Sequence, residues 1–264
     1  MACFALLLSE PLAQAKEAEP SVFDPEAAIA HSQKAVGRVV GEASFLNSAR
    51  EPVSLTDFRG HPLVINLVFT SCVQSCPVIV QSLARAVDVA QEALEAESFS
   101  VITVGFDSAD DTPERMRAYA RGQGIDQPNW HFLSGDPETL EQLLEDLGFL
   151  YFPSPRGFDH LAQTSVLDAN GRVYQQVYGA NFDPPAVVEP LKSLLFGDLD
   201  GLTSLNQIVD RIRLFCTFYD PARDRYSFDY SFFIMLIVGG LSLAGLATVL
   251  IRAWLLARPP VHRA

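Results

Sequence analysis

Two short runs of the chain are apolar at almost every position. They are LVINLVF at 63–69 and SVITVGF at 100–106. A strand that shows only one face to a core alternates between apolar and polar residues. A strand covered by helices on both faces is apolar throughout. Both runs are therefore predicted to be central strands of a sheet that is buried on both sides.

Helical spacing follows the first of these runs and recurs twice later. Apolar residues stand three or four apart at Val80, Leu83, Val87, Ala90 and Leu94. Thr112-Pro113-Glu114 combines an N-cap, a proline at the first helical position and an acidic first turn, so it predicts a helix start. Asp136-Pro137 gives the same signal before a leucine stripe that ends at Gly148.

Turn signals predict the remaining elements. The NSARE turn within residues 44–55 and Asn170-Gly171 within residues 164–178 each indicate a β-hairpin. HFLS at 131–134 is a short strand candidate, and a last helix is predicted over 185–195, with Pro190 as a break or restart. Alternating strands and helices, finished by a hairpin and a helix, predict an α/β fold with a mixed central sheet flanked by helices.

The C-terminal region carries a membrane signal. Residues 231–251 contain no charge, and as a helix they span about 31 Å, enough for a bilayer core. They are predicted to form one transmembrane helix. Residues 201–230 are predicted to form a juxtamembrane segment with an amphipathic helix at 203–216, and 252–264 are predicted to form a short cytoplasmic tail.

The N-terminal region predicts export. Residues 1–15 hold a short apolar run and a small-x-small cleavage pattern, Ala13-Gln14-Ala15, but no charged start. They indicate a truncated signal peptide, the alternative being a weakly apolar N-terminus. Residues 16–35 are predicted to be a flexible linker, which leaves 36–200 as the folded domain. Signal and anchor together predict a single-pass protein of a bacterial-type inner membrane, with its domain in the periplasm.

The charge balance excludes one class of function. The 264 residues carry a net charge of −13, and no basic stripe is available to neutralise phosphates. We therefore expect no nucleic-acid partner.

Two cysteines stand where chemistry is expected. Cys72 and Cys76, in FTSCVQSCPV, follow the first buried strand and open the next helix. Open α/β sheets place their sites at such turns, and a helix N-terminus lowers the pKa of a thiol. Spacing alone leaves a soft-metal site for copper or zinc, a redox pair and a structural disulfide open. Cys3 is expected to leave with the signal.

A metal site needs a third ligand, and His160 is the candidate. It lies in PSPRGFDHLAQ, a segment rich in proline and glycine that is predicted to be a loop beside the cysteine turn. His31 lies in the predicted linker, His262 in the tail and His61 in a turn. His131, at a strand start, is expected to have a structural role.

Four segments in this order resemble the Sco/SenC family of copper proteins, which have a thioredoxin-like fold. They are INLVFTSCVQSCP, VGFDSADDTPERMRAYA, WHFLSGDPETLEQL and FDHLAQTSVLDANGRV, and the resemblance covers about residues 38–196. It implies one copper ion per domain, Cu(I) or Cu(II), bound by Cys72, Cys76 and His160. Val73 stands where the family's commonest motif has proline, and the membrane helix is C-terminal rather than N-terminal.

The resemblance also implies a function and partners. The expected function is assembly of the binuclear copper centre of cytochrome c oxidase, by delivering copper to the copper-centre subunit, by reducing its cysteines, or both. Another copper chaperone or a thioredoxin-like reductant is a further expected partner. Asp107 is expected either to orient the site or to be a solvated loop residue. Asp159 either holds His160 in its tautomer or lies in solvent.

Two other functions remain open at this stage. In a thiol–disulfide oxidoreductase, Cys72 and Cys76 are the catalytic pair and His160 is dispensable. A redox or copper sensor uses the same ligands. Cys216, near the membrane, is either a buried free cysteine or a thiol for copper or an intermolecular disulfide.

Overall fold

The fold was analysed in a computed structural model. It describes residues 23–94, 97–197, 217–220, 225–228 and 231–256. The predicted helix at 203–216, Cys3, Cys216 and His262 lie outside these residues.

Three parallel strands form the centre of the fold. Strands β3 (Leu63–Val68), β4 (Ser100–Gly105) and β5 (Trp130–Ser134) lie side by side in the order β5-β4-β3. Every residue of β3 and β4 is buried, because helices cover both faces. The two predicted central strands and the HFLS strand are confirmed.

Antiparallel strands complete a seven-stranded mixed sheet. On one side β1 (Ser44–Asn47) and β2 (Pro52–Ser54) extend it from β5, and a 3-10 turn follows at Leu55–Phe58. On the other side β8 (Gln163–Leu167) and β9 (Val173–Tyr178) extend it from β3. The mixed α/β fold predicted from the sequence is confirmed.

Helices connect the parallel strands. Helix α2 (Ser75–Ala93) follows β3, α3 (Pro113–Gln123) follows β4, and α4 (Pro137–Asp146) follows β5. Thr112 and Asp136 cap α3 and α4 with their side chains, as predicted. Helix α5 (Pro185–Phe196) runs on through Pro190 without a break.

The segment preceding the domain corrects one expectation. Residues 16–35 were expected to be a flexible linker, but Pro25–Gln33 form a helix, α1. Asp24 accepts hydrogen bonds from the first-turn N–H groups of Glu26 and Ala27, which is the capping signal that the linker interpretation overlooked. Ser32 is fully buried and accepts a hydrogen bond from the hydroxyl of Tyr178 at 3.0 Å, so α1 packs on the domain.

The segment around His160 also differs from the expected loop. It forms a small hairpin of β6 (Tyr151–Ser154) and β7 (Gly157–His160). Gly157 has φ +110°, and a Cβ there would stand 2.7 Å from the ring of Phe69. Glycine is therefore required by both backbone conformation and space, and its turn brings β7 back over the cysteine-bearing edge of the sheet.

The described C-terminal elements are a hairpin and a long helix. Strands β10 (Thr217–Asp220) and β11 (Arg225–Phe228) pair with each other, β11 contacts α2, and Tyr219 packs against the core. Helix α6 (Ser231–Leu256) includes a 21-residue span, Ile234–Trp254, with mean hydropathy 2.4 and no burial within the protein. By length and composition α6 is able to cross a membrane.

Candidate metal centre

Cys72 and Cys76 lie together at the carboxyl end of β3, where α2 begins. Helix α2 begins without a side-chain cap. The sulfur of Cys72 takes over part of this role, because it accepts a hydrogen bond from the N–H of Cys76 at 3.4 Å and lies 3.6 Å from the hydroxyl of Ser75. Both cysteines are free thiols. The two cysteines thus lie together at the start of a helix, as expected from the sequence.

The two thiols have opposite acidities. Burial raises the pKa of Cys72, but hydrogen bonds from the N–H of Cys76 and the Ser75 hydroxyl outweigh it, so the net pKa of Cys72 is lowered. Cys76 is only 1% exposed, and burial raises the pKa of its thiol far above the ordinary value. The pair therefore consists of one partly exposed sulfur that ionises more readily than an ordinary thiol and one buried sulfur that ionises less readily.

His160, the last residue of β7, sits in an aromatic pocket. Its ring lies against those of Phe69, Phe106 and Phe149, with centroid distances of 5.9, 5.4 and 5.3 Å. Nδ1 is 3.0 Å from the carbonyl oxygen of Leu161, so Nδ1 carries the proton and donates it. Burial lowers the pKa of His160, although the Leu161 hydrogen bond and the charge of Asp159 act in the other direction. The imidazole is therefore neutral at pH 7, with its Nε2 lone pair free to bind a metal.

Phe69 connects the histidine to the cysteines. Its ring contacts His160, and its carbonyl oxygen accepts the N–H of Cys72 at 3.0 Å. Even so, no three His, Cys, Asp or Glu side chains among the described residues lie close enough together to hold a metal ion. The structure thus places Cys72 and Cys76 in hydrogen-bond contact, and Phe69 contacts Cys72 through its carbonyl group and His160 through its ring.

A buried carboxylate fixes the neighbouring strand ends. Asp111 is 2% exposed and accepts hydrogen bonds from the N–H and the hydroxyl of Thr70, at 2.8 and 2.7 Å, and from the N–H of Asp107 at 3.0 Å. Burial raises the pKa of Asp111, against the opposing effect of these bonds. Asp111 thus ties the residue after β3 to the loop after β4, whereas Asp107 contributes a backbone group to this bond.

The other residues considered from the sequence lie as follows. Asp159 is partly exposed and lies 3.9 Å from Arg156. The N–H at Nδ1 of His160 donates its hydrogen bond to the carbonyl oxygen of Leu161 and not to Asp159. His131 packs on Phe58, and burial lowers its pKa. His61 Nε2 bonds the hydroxyl of Ser100 at 2.8 Å. His131 and His61 thus have the structural surroundings of ordinary packed histidines.

One neighbour of the thiols was not singled out from the sequence. The hydroxyl of Tyr119, on α3, is completely buried and has no hydrogen-bond partner within the described part of the chain. Burial raises the pKa of Tyr119, and the charges of Cys76, Cys72 and Asp111 raise it further. Its place in AYARGQG has helical spacing but no feature that distinguishes it from a core tyrosine.

Comparison with known proteins identifies the family of the chain. The model of the SCO1/SenC family matches residues 31–196, which is most of the described domain. The chain belongs to the SCO1/SenC family. The match begins within α1, in agreement with the packing of that helix on the domain.

Relatives support the fold at low sequence identity. A curated SCO2-like protein of Rickettsia typhi is 24% identical over 149 residues, which are 53% of this chain and 70% of that protein. The structure of Bradyrhizobium japonicum ScoI with copper bound is 20% identical, with a TM-score of 0.50 over 59% of this chain and 99% of that one. BsSco, described as a Sco-family cytochrome c oxidase assembly protein with a disulfide switch, is 22% identical, with a TM-score of 0.52 over 60% and 94% of the two chains.

Proposed function

We propose that this SCO1/SenC protein binds one copper ion through Cys72, Cys76 and His160 and supplies it for assembly of cytochrome c oxidase. The observation that carries the proposal is that one edge of the sheet presents two different types of metal ligand, a thiol with a lowered pKa and a neutral imidazole. Cys72 is stabilised as a thiolate, and His160 is a neutral imidazole with Nε2 free. ScoI, which shares the fold, is described with copper bound.

The donor set suits copper among the common metals. Two thiolates and one imidazole are soft and borderline ligands, and three of them satisfy trigonal Cu(I), while a further position accommodates Cu(II). The carboxylates near the cysteines do not compete for this role, because Asp111 is committed to Thr70 and the Asp107 N–H. Hard-cation binding at this edge is correspondingly disfavoured.

Copper binding requires two changes from the metal-free state. The Cys76 thiol gives up its proton, which makes binding dependent on pH. The β6–β7 hairpin carries His160 closer to the sulfurs, with Phe69 moving aside or sliding past the imidazole. The hairpin forms its own two-stranded sheet, so it can shift without breaking a hydrogen bond of the central sheet.

The acidities favour a second activity, reduction of a partner's disulfide. In this step the Cys72 thiolate attacks one sulfur of the partner disulfide and releases the other as a thiolate. Cys76 then loses its proton and attacks the Cys72 sulfur. The partner leaves as a dithiol, and Cys72–Cys76 becomes a disulfide. This disulfide has no lone thiolates to hold copper, so copper transfer and thiol redox state are coupled.

The proposed setting is the outer face of a membrane. Helix α6 serves as a C-terminal anchor, and the domain faces the periplasm, where the copper-centre subunit of the oxidase presents its own cysteines. A second copper chaperone or a thioredoxin-like reductant then reloads or reduces the site. The acidic chain has no role toward nucleic acid in this scheme.

Copper titration of the reduced full chain in detergent tests the proposal. We expect one Cu(I) per chain and, with Cu(II), a sulfur-to-copper absorption band. His160→Ala abolishes the band and most of the affinity. His61→Asn, at the opposite end of β3, is the matched control and leaves both intact. If copper binds no better than to a simple dithiol and His160→Ala matches the wild type, the copper proposal fails and the thiol–disulfide activity becomes the leading function.

A further inference from the structure

The N-terminal helix α1 contacts the chain where it enters the β6–β7 hairpin. Gly148 lies between α4 and β6 and has φ +64°. A Cβ there would stand 3.0 Å from the Cα of Ser32 and 3.1 Å from the Cβ of Ala35. Ser32 and Ala35 are both fully buried, so α1 and the turn after it pack directly on this entry point. Glycine permits both the left-handed backbone and the close approach.

The residue before Gly148 is fixed to the central sheet. The carbonyl oxygen of Leu147 accepts hydrogen bonds from the side-chain amides of Gln163 on β8 and Gln176 on β9, at 3.1 and 3.0 Å. Both glutamines are buried. The entry to the hairpin is therefore tied to the sheet through Leu147 and packed on α1 through Gly148.

Helix α1 is also tied to the sheet beside the exit from the hairpin. Gln163 comes three residues after His160 and pairs with Tyr178 on β9. The hydroxyl of Tyr178 donates a hydrogen bond to the Ser32 hydroxyl at 3.0 Å and accepts one from the side-chain amide of Gln33 at 2.7 Å. These bonds fix α1 to the part of the sheet at which the chain leaves the hairpin.

The residue that precedes the α1 cap reaches the hairpin itself. The ring centroid of Phe23 lies 6.2 Å from that of Phe152, with the two rings inclined at 55°. Phe152 is in β6 and pairs with Asp159, the neighbour of His160. Aromatic pairs at such distances stabilise a contact beyond the area that they bury. Residues 23–35 therefore contact both the hairpin and its entry.

We propose that residues 23–35 act as a brace that positions the hairpin, and with it His160, for metal binding. The inference rests on the proposed function, in which His160 joins the two cysteines. Since the hairpin forms a sheet of its own, no strand pairing holds it to the central sheet. A ligand on a mobile element is in the binding position for only part of the time, and the apparent affinity falls by that fraction. The brace raises the fraction by restricting the hairpin.

Hydrogen exchange in the metal-free, reduced full chain in detergent tests the brace independently of copper. Phe23→Ala removes the ring, and we expect the backbone N–H groups of residues 151–160 to exchange about twofold to tenfold faster while those of the central sheet are unchanged. Ile29→Ala, at an exposed apolar position of α1, is the matched control and keeps the wild-type rates. Phe23→Tyr keeps the ring and therefore also exchanges at the wild-type rates.

The contact at Gly148 provides a second pair of variants. Gly148→Ala and Gly124→Ala impose similar backbone strain, because φ is +64° at Gly148 and +70° at Gly124. The new methyl group meets α1 only at Gly148, since Gly124 has open space around it. We expect faster exchange in the hairpin for Gly148→Ala and unchanged exchange there for Gly124→Ala. If circular dichroism shows that Gly148→Ala is unfolded, the Phe23 variants decide the question.

Copper titration of the same variants separates the two proposals. We expect Phe23→Ala to bind Cu(I) about twofold to tenfold more weakly than the wild type, and Phe23→Tyr to restore the affinity. Wild-type exchange in the hairpin of Phe23→Ala overturns the brace. Faster exchange with an unchanged or higher Cu(I) affinity overturns its positioning role. If the wild-type chain has no specific copper site, the proposed function fails, and the exchange rates still decide whether residues 23–35 order the hairpin.

Discussion

The N–H of Cys76 donates a hydrogen bond to the sulfur of Cys72 at 3.4 Å. The backbone N–H of Cys76, whose own thiol has a raised pKa, thus stabilises the thiolate of Cys72, whose pKa is lowered. The C-x-x-x-C spacing makes this possible, because the second cysteine falls in the first turn of α2, where N–H groups have no partner within the helix. The first cysteine lies just outside the turn, within reach of those groups.

This relationship predicts that the two thiols react in a fixed order. The folded-state pKa of Cys72 is depressed, so its thiolate form is present below the usual pH range of a free thiol and is lost only as pH falls through that lowered value. We expect iodoacetamide to label Cys72 at pH 7 while Cys76 stays unlabelled. Peptide mass spectrometry over a pH series checks the order of labelling. Labelling of Cys76 first, or of both at equal rates, contradicts the assignment.

A substitution at Ser75 tests one cause of the low pKa. Ser75→Ala removes the hydroxyl beside the Cys72 sulfur, so the pKa of Cys72 rises and alkylation at pH 7 slows by about threefold to tenfold. Ser71→Ala, at an exposed position of the same turn, is the control and leaves the rate unchanged. Equal rates in both variants and the wild type would assign the acidity of Cys72 to the backbone N–H groups of Cys76 and Gln74 and to the Cys76 side chain, and not to the Ser75 hydroxyl.

The crowding around Gly105, the last residue of β4, leads us to expect different effects on stability from Gly105→Ala and Gly122→Ala. A Cβ there would stand 2.4 Å from the Cβ of Asp111 and 2.9 Å from the sulfur of Met116. Gly105→Ala therefore lowers the free energy of unfolding by about 1–3 kcal/mol and strains the Asp111–Thr70 connection. Gly122→Ala, in α3 with open space around it, raises the same quantity by about 0.5–1 kcal/mol.

Thermal unfolding of both glycine variants, followed by circular dichroism, measures the difference. Unfolding of Gly105→Ala at the wild-type temperature would mean that Asp111 moves freely and is not the fixed tie described above. A loss of stability in Gly122→Ala would show that the position is more crowded than the structure has it.

The parts of the fold that the sequence predicted share one physical property. Local patterns indicate each of these elements. Unbroken apolar runs indicate strands β3 and β4, and side chains that cap the first helical turn indicate α3 and α4. Helix α1 carries the same capping signal at Asp24, but its surroundings resemble a linker in composition. The β6–β7 hairpin was missed because proline and glycine usually interrupt strands, whereas here Gly157 makes room for Phe69.

Local sequence patterns predicted only the part of the candidate site whose residues are close together in the chain. Cys72 and Cys76 lie four residues apart, so their proximity follows from one turn of helix. His160 is some 80 residues away, so its connection with them was predicted from the fold class and from the family resemblance and not from spacing. The burial of Tyr119 and the hydrogen bonds of Asp111 depend on the packing of α3 and of the loop after β4, which no single-sequence pattern encodes. The assignment of metal ligands stays a prediction for the copper titration to decide.

The hairpin of β10 and β11 has a mechanical consequence. Strand β11 contacts α2, ends at Phe228, and α6 begins at Ser231. The three peptide units from Phe228 to Ser231 span at most about 11 Å of extended chain, less than the diameter of the domain. With α6 across a bilayer, so short a connection keeps the domain close to the lipid surface. Under the proposed function, the domain would then not reach a distant acceptor, and the acceptor would have to meet it at the membrane surface.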